Sequence, residues 1–141
     1  MRIINLAILV LFLTSGCYDI VTDHYATRNQ AEVASLFKRG WLPNLIPPSA
    51  SDISTRNDLD ANRSEGEFKF DVKESVEFIE KLSPYSNQNL PVASWQSILS
   101  TSKENGYEIY EYTFEQSKWI FVINNKTGHV RYLMWRNNKN N

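Results

Sequence analysis

Three runs of aromatic and β-branched residues in the last third of the chain constrain its fold more than any other feature. They cover residues 107–114, 118–123 and 130–135. The links between them are short, and Gly128 in the second link can adopt the left-handed backbone of a tight turn. Because such short links bring successive strands together in opposite directions, the runs predict an antiparallel meander. The central run is apolar from Trp119 to Ile123, which indicates a strand covered on both faces.

Two amphipathic segments upstream of the meander predict helices. The first covers residues 27–39 and opens with a capping pattern, in which the side chains of Thr27 and Gln30 satisfy orphan backbone N–H groups. The second covers about residues 72–82 and is capped by Asp71. Its helical spacing predicts one buried face, formed by Val72, Val76, Ile79 and Leu82.

The remaining segments complete a predicted α+β fold. A short strand is expected around Ile53, another from Glu67 to Phe70 alternates inward and outward side chains, and residues 92–101 favour a short helix. Packing helices against a sheet buries both apolar sets. We therefore predict an antiparallel sheet of four or five strands with two main helices packed on one face and the three-strand meander at the C-terminus.

The first sixteen residues are typical of an export signal. Arg2 provides a basic start, residues 3–13 form a mainly apolar run, and small residues precede Cys17. The run is about half as long as the roughly 20 residues that a membrane-spanning helix needs. Small residues directly before a cysteine resemble a bacterial lipobox, with Thr14 departing from the usual aliphatic residue. The alternative is an ordinary secretory signal with a chance cysteine.

Cleavage before Cys17 divides the chain into four expected parts. These are a signal peptide of residues 1–16, the lipidated cysteine with a short tether (17–26), one α+β domain (27–136) and a polar tail (137–141). We expect acyl chains on Cys17, palmitate among them, to hold the domain on a membrane, because several chains bind more firmly than one. Tyr18 rather than Asp follows the cysteine, which favours the outer membrane, facing the periplasm, over the inner membrane.

Composition excludes several classes of function. Removal of the signal takes away one basic residue, so 15 − 1 = 14 basic residues face 16 acidic ones and the net charge is −2. This balance gives no field to attract nucleic acid. Cys17 is the only cysteine, and His24 and His129 are far apart and typical of exposed imidazoles, so the usual ligands of zinc are missing. We expect no cofactor, no metal and no catalytic residue.

One polar segment, residues 58–67, carries oxygen ligands at metal-like spacing. It begins as a calcium-binding loop would, but Arg63 stands where glycine is required and Lys69 where the closing glutamate is required. We expect a structural turn instead, in which Asp and Asn side chains accept local backbone N–H bonds. The candidate binding or structural-turn residues are Asp58, Asp60, Asn62, Glu65 and Gly66.

Aromatic residues of the meander form a second candidate surface. An exposed row of them could bind a glycan or a partner protein, whereas core packing explains most of them more simply. The residues concerned are Tyr107, Tyr110, Tyr112, Trp119, Tyr132 and Trp135.

Several motifs in the first half of the chain resemble a known family. They are Tyr25-Ala26-Thr27, Gly40-Trp41-Leu42-Pro43, Leu45-Ile46-Pro47-Pro48-Ser49-Ala50-Ser51-Asp52-Ile53, Asp58-Leu59-Asp60-Ala61-Asn62 and Glu65-Gly66-Glu67-Phe68-Lys69-Phe70. In these motifs the chain resembles small bacterial lipoproteins that carry a YbbD head domain, over about residues 17–82. The resemblance implies a shared fold for this segment and a structural or binding role for its polar turn. It implies no catalytic residue.

Two hypotheses of function follow. The favoured one is a non-enzymatic, membrane-anchored envelope lipoprotein that binds a partner, an envelope protein or a glycan, or helps assembly. The alternative is a small envelope hydrolase or carbohydrate-binding protein that uses Asp58, Asp60 and Glu65. A hydrolase of glycosidic bonds would need two carboxylates roughly 5 to 9 Å apart in a cleft.

Overall fold

The computed structural model describes residues 19–137. The predicted signal peptide, Cys17 with its lipid and residues 138–141 of the tail lie outside this range and remain predictions. The elements are β1 (Ile20–Thr27), α1 (Arg28–Val33), β2 (Ser51–Asp58), β3 (Arg63–Lys69), a 3₁₀ turn (Val72–Glu74), α2 (Ser75–Glu80), β4 (Ser83–Pro84), α3 (Ala93–Glu104), β5 (Glu108–Phe114), β6 (Ser117–Asn124) and β7 (His129–Arg136).

The seven strands form one antiparallel sheet in the order β1-β2-β3-β7-β6-β5-β4. The predicted meander is confirmed as β5-β6-β7. Strand β7 also pairs with β3, where Phe68 lies opposite Val130. The C-terminal strand therefore joins the N-terminal strands to the meander in a single sheet.

The predicted architecture of two main helices on four or five strands is wrong. The sheet has seven strands, and α1 and α2 contain only six residues each. The helices also lie on opposite faces. Side chains of α1 and α2 pack with Phe121 of β6, whereas Trp95 of α3 packs with Ile120. Because neighbouring residues of β6 point to opposite faces, its continuous apolar run requires cover on both sides.

Helix α1 begins as predicted but ends at Val33 rather than at Arg39. Thr27 Oγ1 accepts a hydrogen bond from the Gln30 N–H at 3.2 Å, which confirms the N-cap. Ser35 then adopts a left-handed backbone with φ 61°, and the Leu36 N–H donates back to the Ala31 carbonyl at 3.0 Å. This arrangement closes the helix and turns the chain toward the sheet.

Helix α2 has the predicted cap but not the predicted buried face. Asp71 Oδ1 accepts from the Lys73 N–H at 3.0 Å. Val72 and Val76 are 42% and 70% exposed, and Phe78 is the buried residue. The 3₁₀ turn that precedes α2 has fewer residues per turn than an α-helix, so a count at uniform helical spacing selects the wrong face.

Strand β1 occupies most of the segment predicted to be a tether. It pairs with β2 from Ile20 opposite Asp58 to Thr27 opposite Ser51. Its side chains are half-buried or exposed, because it is an edge strand. The apolar alternation that marks a strand in sequence is therefore weak here.

Candidate functional site

A groove of about 1120 Å³ opens between the chain that follows α1 and the β5–β6 hairpin. One wall is formed by residues 37–45 and the other by residues 112–119, while Arg136 and Asn137 line the end of β7. We call this surface the aromatic groove. Neither wall is a complete helix or sheet face, so the groove exists only because two distant segments meet.

Aromatic side chains line both walls of the aromatic groove. Phe37 lies on the first wall, and Tyr112, Phe114 and Trp119 lie on the second. The rings of Tyr112 and Trp119 pack with centroids 5.8 Å apart. Phe114 is 58% exposed, so a large apolar side chain at the hairpin end faces solvent and is available for contact with a ligand.

Direct hydrogen bonds hold the walls of the aromatic groove together. Trp119 Nε1 donates to the buried carbonyl of Trp41 at 3.0 Å. Arg136 donates from Nη2 to the Arg39 carbonyl at 2.7 Å and from Nε to Ser117 Oγ at 3.3 Å. Its guanidinium also stacks over the Trp41 ring at 4.8 Å. These contacts link both walls, so the groove is preformed.

The backbone of the first wall depends on Gly40. This residue has φ 76°, a left-handed conformation that favours glycine. A Cβ at this position would lie 2.9 Å from Arg136 Nη2. Gly40 therefore allows the Arg136 guanidinium to approach the wall and donate to the Arg39 carbonyl.

The lining of the aromatic groove carries a net positive charge. Lys38, Arg39 and Arg136 line it together with one carboxylate, Glu115, so three cations face one anion. None of the three cations lies within 4.0 Å of a carboxylate of residues 19–137. The groove is thus a local positive surface on a chain whose total charge is −1.

The structure brings two of the sequence-predicted carboxylates together, but it places arginines opposite them. Asp58 and Glu65 line a recess of about 240 Å³. Asp58 lies opposite Arg63 and Glu65 opposite Arg56, with Arg56 Nη1 and Glu65 Oε1 3.7 Å apart. Cross-strand pairs of opposite charge stabilise a hairpin. Asp60 lies in the turn and does not line this recess.

The polar residues of the turn between β2 and β3 differ in whether they form hydrogen bonds. Asp58 Oδ1 accepts from the Ala61 N–H at 2.9 Å, the kind of local bond predicted for this segment. Asn62 adopts a left-handed backbone with φ 50°, and its carbonyl accepts from the Arg136 N–H at 3.1 Å. Asp60 is exposed. Over residues 19–137, no group of three metal-ligating side chains is placed to hold an ion.

Gly66 is a packing residue within β3. A Cβ there would lie 1.9 Å from the Ser54 carbonyl oxygen and 2.9 Å from Tyr132 Cε1. The Tyr132 ring therefore rests against the backbone of β3. Its hydroxyl lies 2.8 Å from Ser64 Oγ, which donates to Asn57 Oδ1 at 2.6 Å. Because Ser64 has one hydroxyl hydrogen, Tyr132 is the donor to Ser64, and burial raises the pKa of Tyr132.

Core packing explains half of the predicted aromatic row. Trp119, Tyr132 and Trp135 are buried. The remaining three, Tyr107, Tyr110 and Tyr112, are half-buried. Tyr112 alone among these three lines the aromatic groove, so the row does not form one exposed surface.

His129 has more partners than the prediction of an exposed imidazole implied. Its Nδ1 lies 3.0 Å from the Tyr107 hydroxyl and its Nε2 3.1 Å from Glu67 Oε2. Its side chain is only 29% exposed. These contacts join β7 to β3 and to Tyr107, the residue before β5.

Comparison with protein families gives a match to the first strands of the sheet. Residues 19–69 match the model of the YbbD head domain. This finding confirms the resemblance, although the match ends before residue 82. Comparison with curated proteins gave no match, and comparison with solved structures gave none. The YbbD family is bacterial, and the resemblance suggests an envelope-associated protein.

The matched segment contains only part of the aromatic groove. It includes β1, α1, β2, β3 and the first wall, whereas residues 112–119 of the second wall lie beyond it. No helix within residues 19–137 is long and apolar enough to cross a membrane.

Sequence reasoning missed the aromatic groove because its charges are far apart in the chain. Lys38 and Arg39 lie at the end of the segment predicted to be the first helix, and Arg136 follows the last predicted strand run, which ends at residue 135. The exposed aromatic residue Phe114 was assigned only to a strand. No local pattern connects these positions, since only the folded sheet brings β7 beside the chain that follows α1.

Proposed function

We propose that this protein is a lipid-anchored envelope protein that binds an acidic partner protein in the aromatic groove and catalyses no reaction. The observation that carries the proposal is the groove itself, which is preformed and lined by aromatic rings. Three cationic side chains and one carboxylate also line it. Concave sites of this kind combine apolar contact with a few polar groups that orient the ligand.

The cations of the groove retain unused hydrogen-bond donors. A guanidinium has five N–H donors, and Arg136 uses two of them, on Arg39 and Ser117. The remaining three face no carboxylate within 4.0 Å over residues 19–137. Lys38 is exposed. A carboxylate of a partner could therefore pair with Arg136 or Lys38 without breaking an internal ion pair.

The anchor in this proposal is lipid on Cys17, with the protein on the outer membrane and facing the periplasm. Strand β1 begins at Ile20, so only two residues separate the anchored cysteine from the sheet. The domain would then lie close to its membrane, and its partner would be a protein of the envelope.

A crosslinking pull-down of the mature lipoprotein from its own envelope tests the proposed binding. Lys38→Glu reverses a charge in the groove, and Lys126→Glu reverses an exposed charge on the β6–β7 turn as a matched control. We expect Lys38→Glu to lose a protein that the wild type and Lys126→Glu both capture. Equal capture by all three proteins would contradict binding in the groove.

The alternative of a hydrolase that uses Asp58, Asp60 and Glu65 draws less support. Asp58 and Glu65 lie opposite arginines, and Asp60 does not line their recess. Cross-strand pairs of opposite charge stabilise a hairpin, which accounts for Asp58 and Glu65 without a catalytic role.

A further inference from the structure

The sheet has one long open edge and one blunt edge. Strand β4 at one end contains only Ser83 and Pro84, and proline has no backbone N–H to offer a further strand. Strand β1 at the other end has eight residues, most of them exposed. Within residues 19–137, β2 is the only strand that pairs with β1, so the outer side of β1 is a template for another extended strand.

The hydrogen-bond pattern shows which groups of β1 face outward. The Leu59 N–H donates to the Asp19 carbonyl at 3.0 Å, so Asp19 is bonded to the neighbouring chain. In an antiparallel pair the bonded residues alternate. Ile20, Thr22 and His24 therefore direct their backbone groups away from β2. The Ala26 N–H donates to Gln30 Oε1 at 2.9 Å. The alternation ends there, because the Arg28 N–H beyond β1 donates to the Ala50 carbonyl at 2.9 Å.

We propose that two copies of this chain pair antiparallel through β1, on a two-fold axis at Thr22. The two sheets then join into one, with Thr22 opposite itself and Ile20 opposite His24 of the second copy. The three bonded pairs are Ile20 with His24, Thr22 with Thr22, and His24 with Ile20, and each pair exchanges two N–H···O bonds. Threonines that lie opposite each other across a strand pair are a favourable combination.

Two-fold axes on the C-terminal side of Thr22 use groups that are unsuitable or occupied. An axis at Asp23 places two like charges opposite each other, which is destabilising. An axis at Asp23 or His24 also requires the Ala26 N–H, which already donates a hydrogen bond to Gln30 Oε1. The axis at Thr22 needs only Ile20, Thr22 and His24.

The blunt edge explains why the occupant of the open edge is one further copy and not a fibre. A two-fold contact uses the same surface on both molecules and closes the assembly. After β1 pairs with itself, each outer edge of the joined sheet is the two-residue strand β4 with Pro84. Growth therefore stops at a dimer.

Disulfide crosslinking of the full chain in its envelope tests this dimer. Thr22→Cys places two cysteines at a bonded pair with Cα atoms about 5.5 Å apart, within the range of a disulfide. His24→Cys is the matched control on the same strand and face, because its two copies would be about 14 Å apart. The wild type controls for any crosslinking through Cys17.

We expect a dimer from Thr22→Cys under mild oxidation, and only monomer from His24→Cys and from the wild type. Absence of a dimer from Thr22→Cys, or equal dimer from His24→Cys, would overturn the proposal. Thr22→Pro provides a second measurement without a new thiol, since it removes an outward N–H and leaves the bonds to β2 intact. Its mass in detergent should be that of a monomer, while the wild type has twice that mass; equal masses would also overturn the proposal.

Discussion

Replacement of Gly66 by alanine tests the packing of β2, β3 and β7. Gly66 lies opposite Thr55 of β2 and Tyr132 of β7. The new Cβ would be 1.9 Å from the Ser54 carbonyl oxygen and 2.9 Å from Tyr132 Cε1, whereas real Cβ contacts stay beyond 3.0 Å. Because the Ser54 oxygen belongs to the backbone, no side-chain rotation relieves the contact. The two strands must separate by about 1 Å or more.

The cost of Gly66→Ala follows from that separation. Overpacking of a well-packed site costs about 1–3 kcal/mol, and weakening one interstrand hydrogen bond adds about 1 kcal/mol. The free energy of unfolding should therefore fall by roughly 2–4 kcal/mol. For a domain of this size, a loss of 1 kcal/mol lowers the Tm by about 4 °C, so we expect a fall of roughly 8 to 16 °C.

Thermal unfolding followed by circular dichroism measures this effect, with Gly106→Ala as the control. Gly106 has φ 81° and no heavy atom within 4 Å of the built Cβ. Its substitution introduces left-handed strain of about 1–2 kcal/mol without a clash. If Gly66→Ala melted within 2 °C of the wild type, or above Gly106→Ala, the steric argument would be wrong.

Three further predictions address the anchor, the location and the polar turn. Cys17→Ser should remain uncleaved and lack label in cells fed a radioactive fatty acid; equal label on both proteins would exclude the lipoprotein interpretation. On a sucrose gradient of envelope fractions, most of the protein should migrate with outer-membrane markers, and migration with the inner membrane would contradict the sorting argument. In urea unfolding, Asp58→Ala should cost about 1 kcal/mol, because it removes the bond to the Ala61 N–H, and Asp60→Ala should cost less. Calcium and EDTA should leave the Tm unchanged, whereas a calcium-dependent rise of several degrees that Asp60→Ala abolishes would identify a metal site.

Local patterns predicted the elements whose signals are contained in their own residues. Strands β5, β6 and β7 are rich in aromatic and β-branched residues and are joined by short turns, so the meander was predicted correctly. The caps at Thr27 and Asp71 were also predicted, because a cap depends on residues within one helical turn.

The elements that depend on distant contacts were not predicted. Helix α1 ends early because Ser35 adopts a left-handed backbone that buries Leu36 against the sheet. Strand β1 forms because β2 offers it a partner, although its own sequence alternates weakly. The number of strands likewise depends on how β3 meets β7. Helix α3 lies on the second face because it packs there against residues of the meander such as Ile120.

In the candidate site, too, short-range features were predicted and features that depend on distant contacts were not. The polar turn was visible in sequence, and its local bond at Asp58 is a short-range feature. The role of Gly66 depends on the Tyr132 ring, which is far away in the sequence. The aromatic groove combines residues 37–45, residues 112–119 and Arg136, and only the complete sheet brings these segments together.

Site-specific photo-crosslinking in cells tests most directly whether the aromatic groove binds a protein. A photoreactive phenylalanine replaces Phe114 in the groove, which is 58% exposed, or Val33 on α1, which is 80% exposed and does not line the groove. We expect an adduct of defined mass from position 114, lost when Lys38→Glu is added, and no adduct of that mass from position 33. No adduct from position 114, or the same adduct from both positions, would contradict binding in the groove.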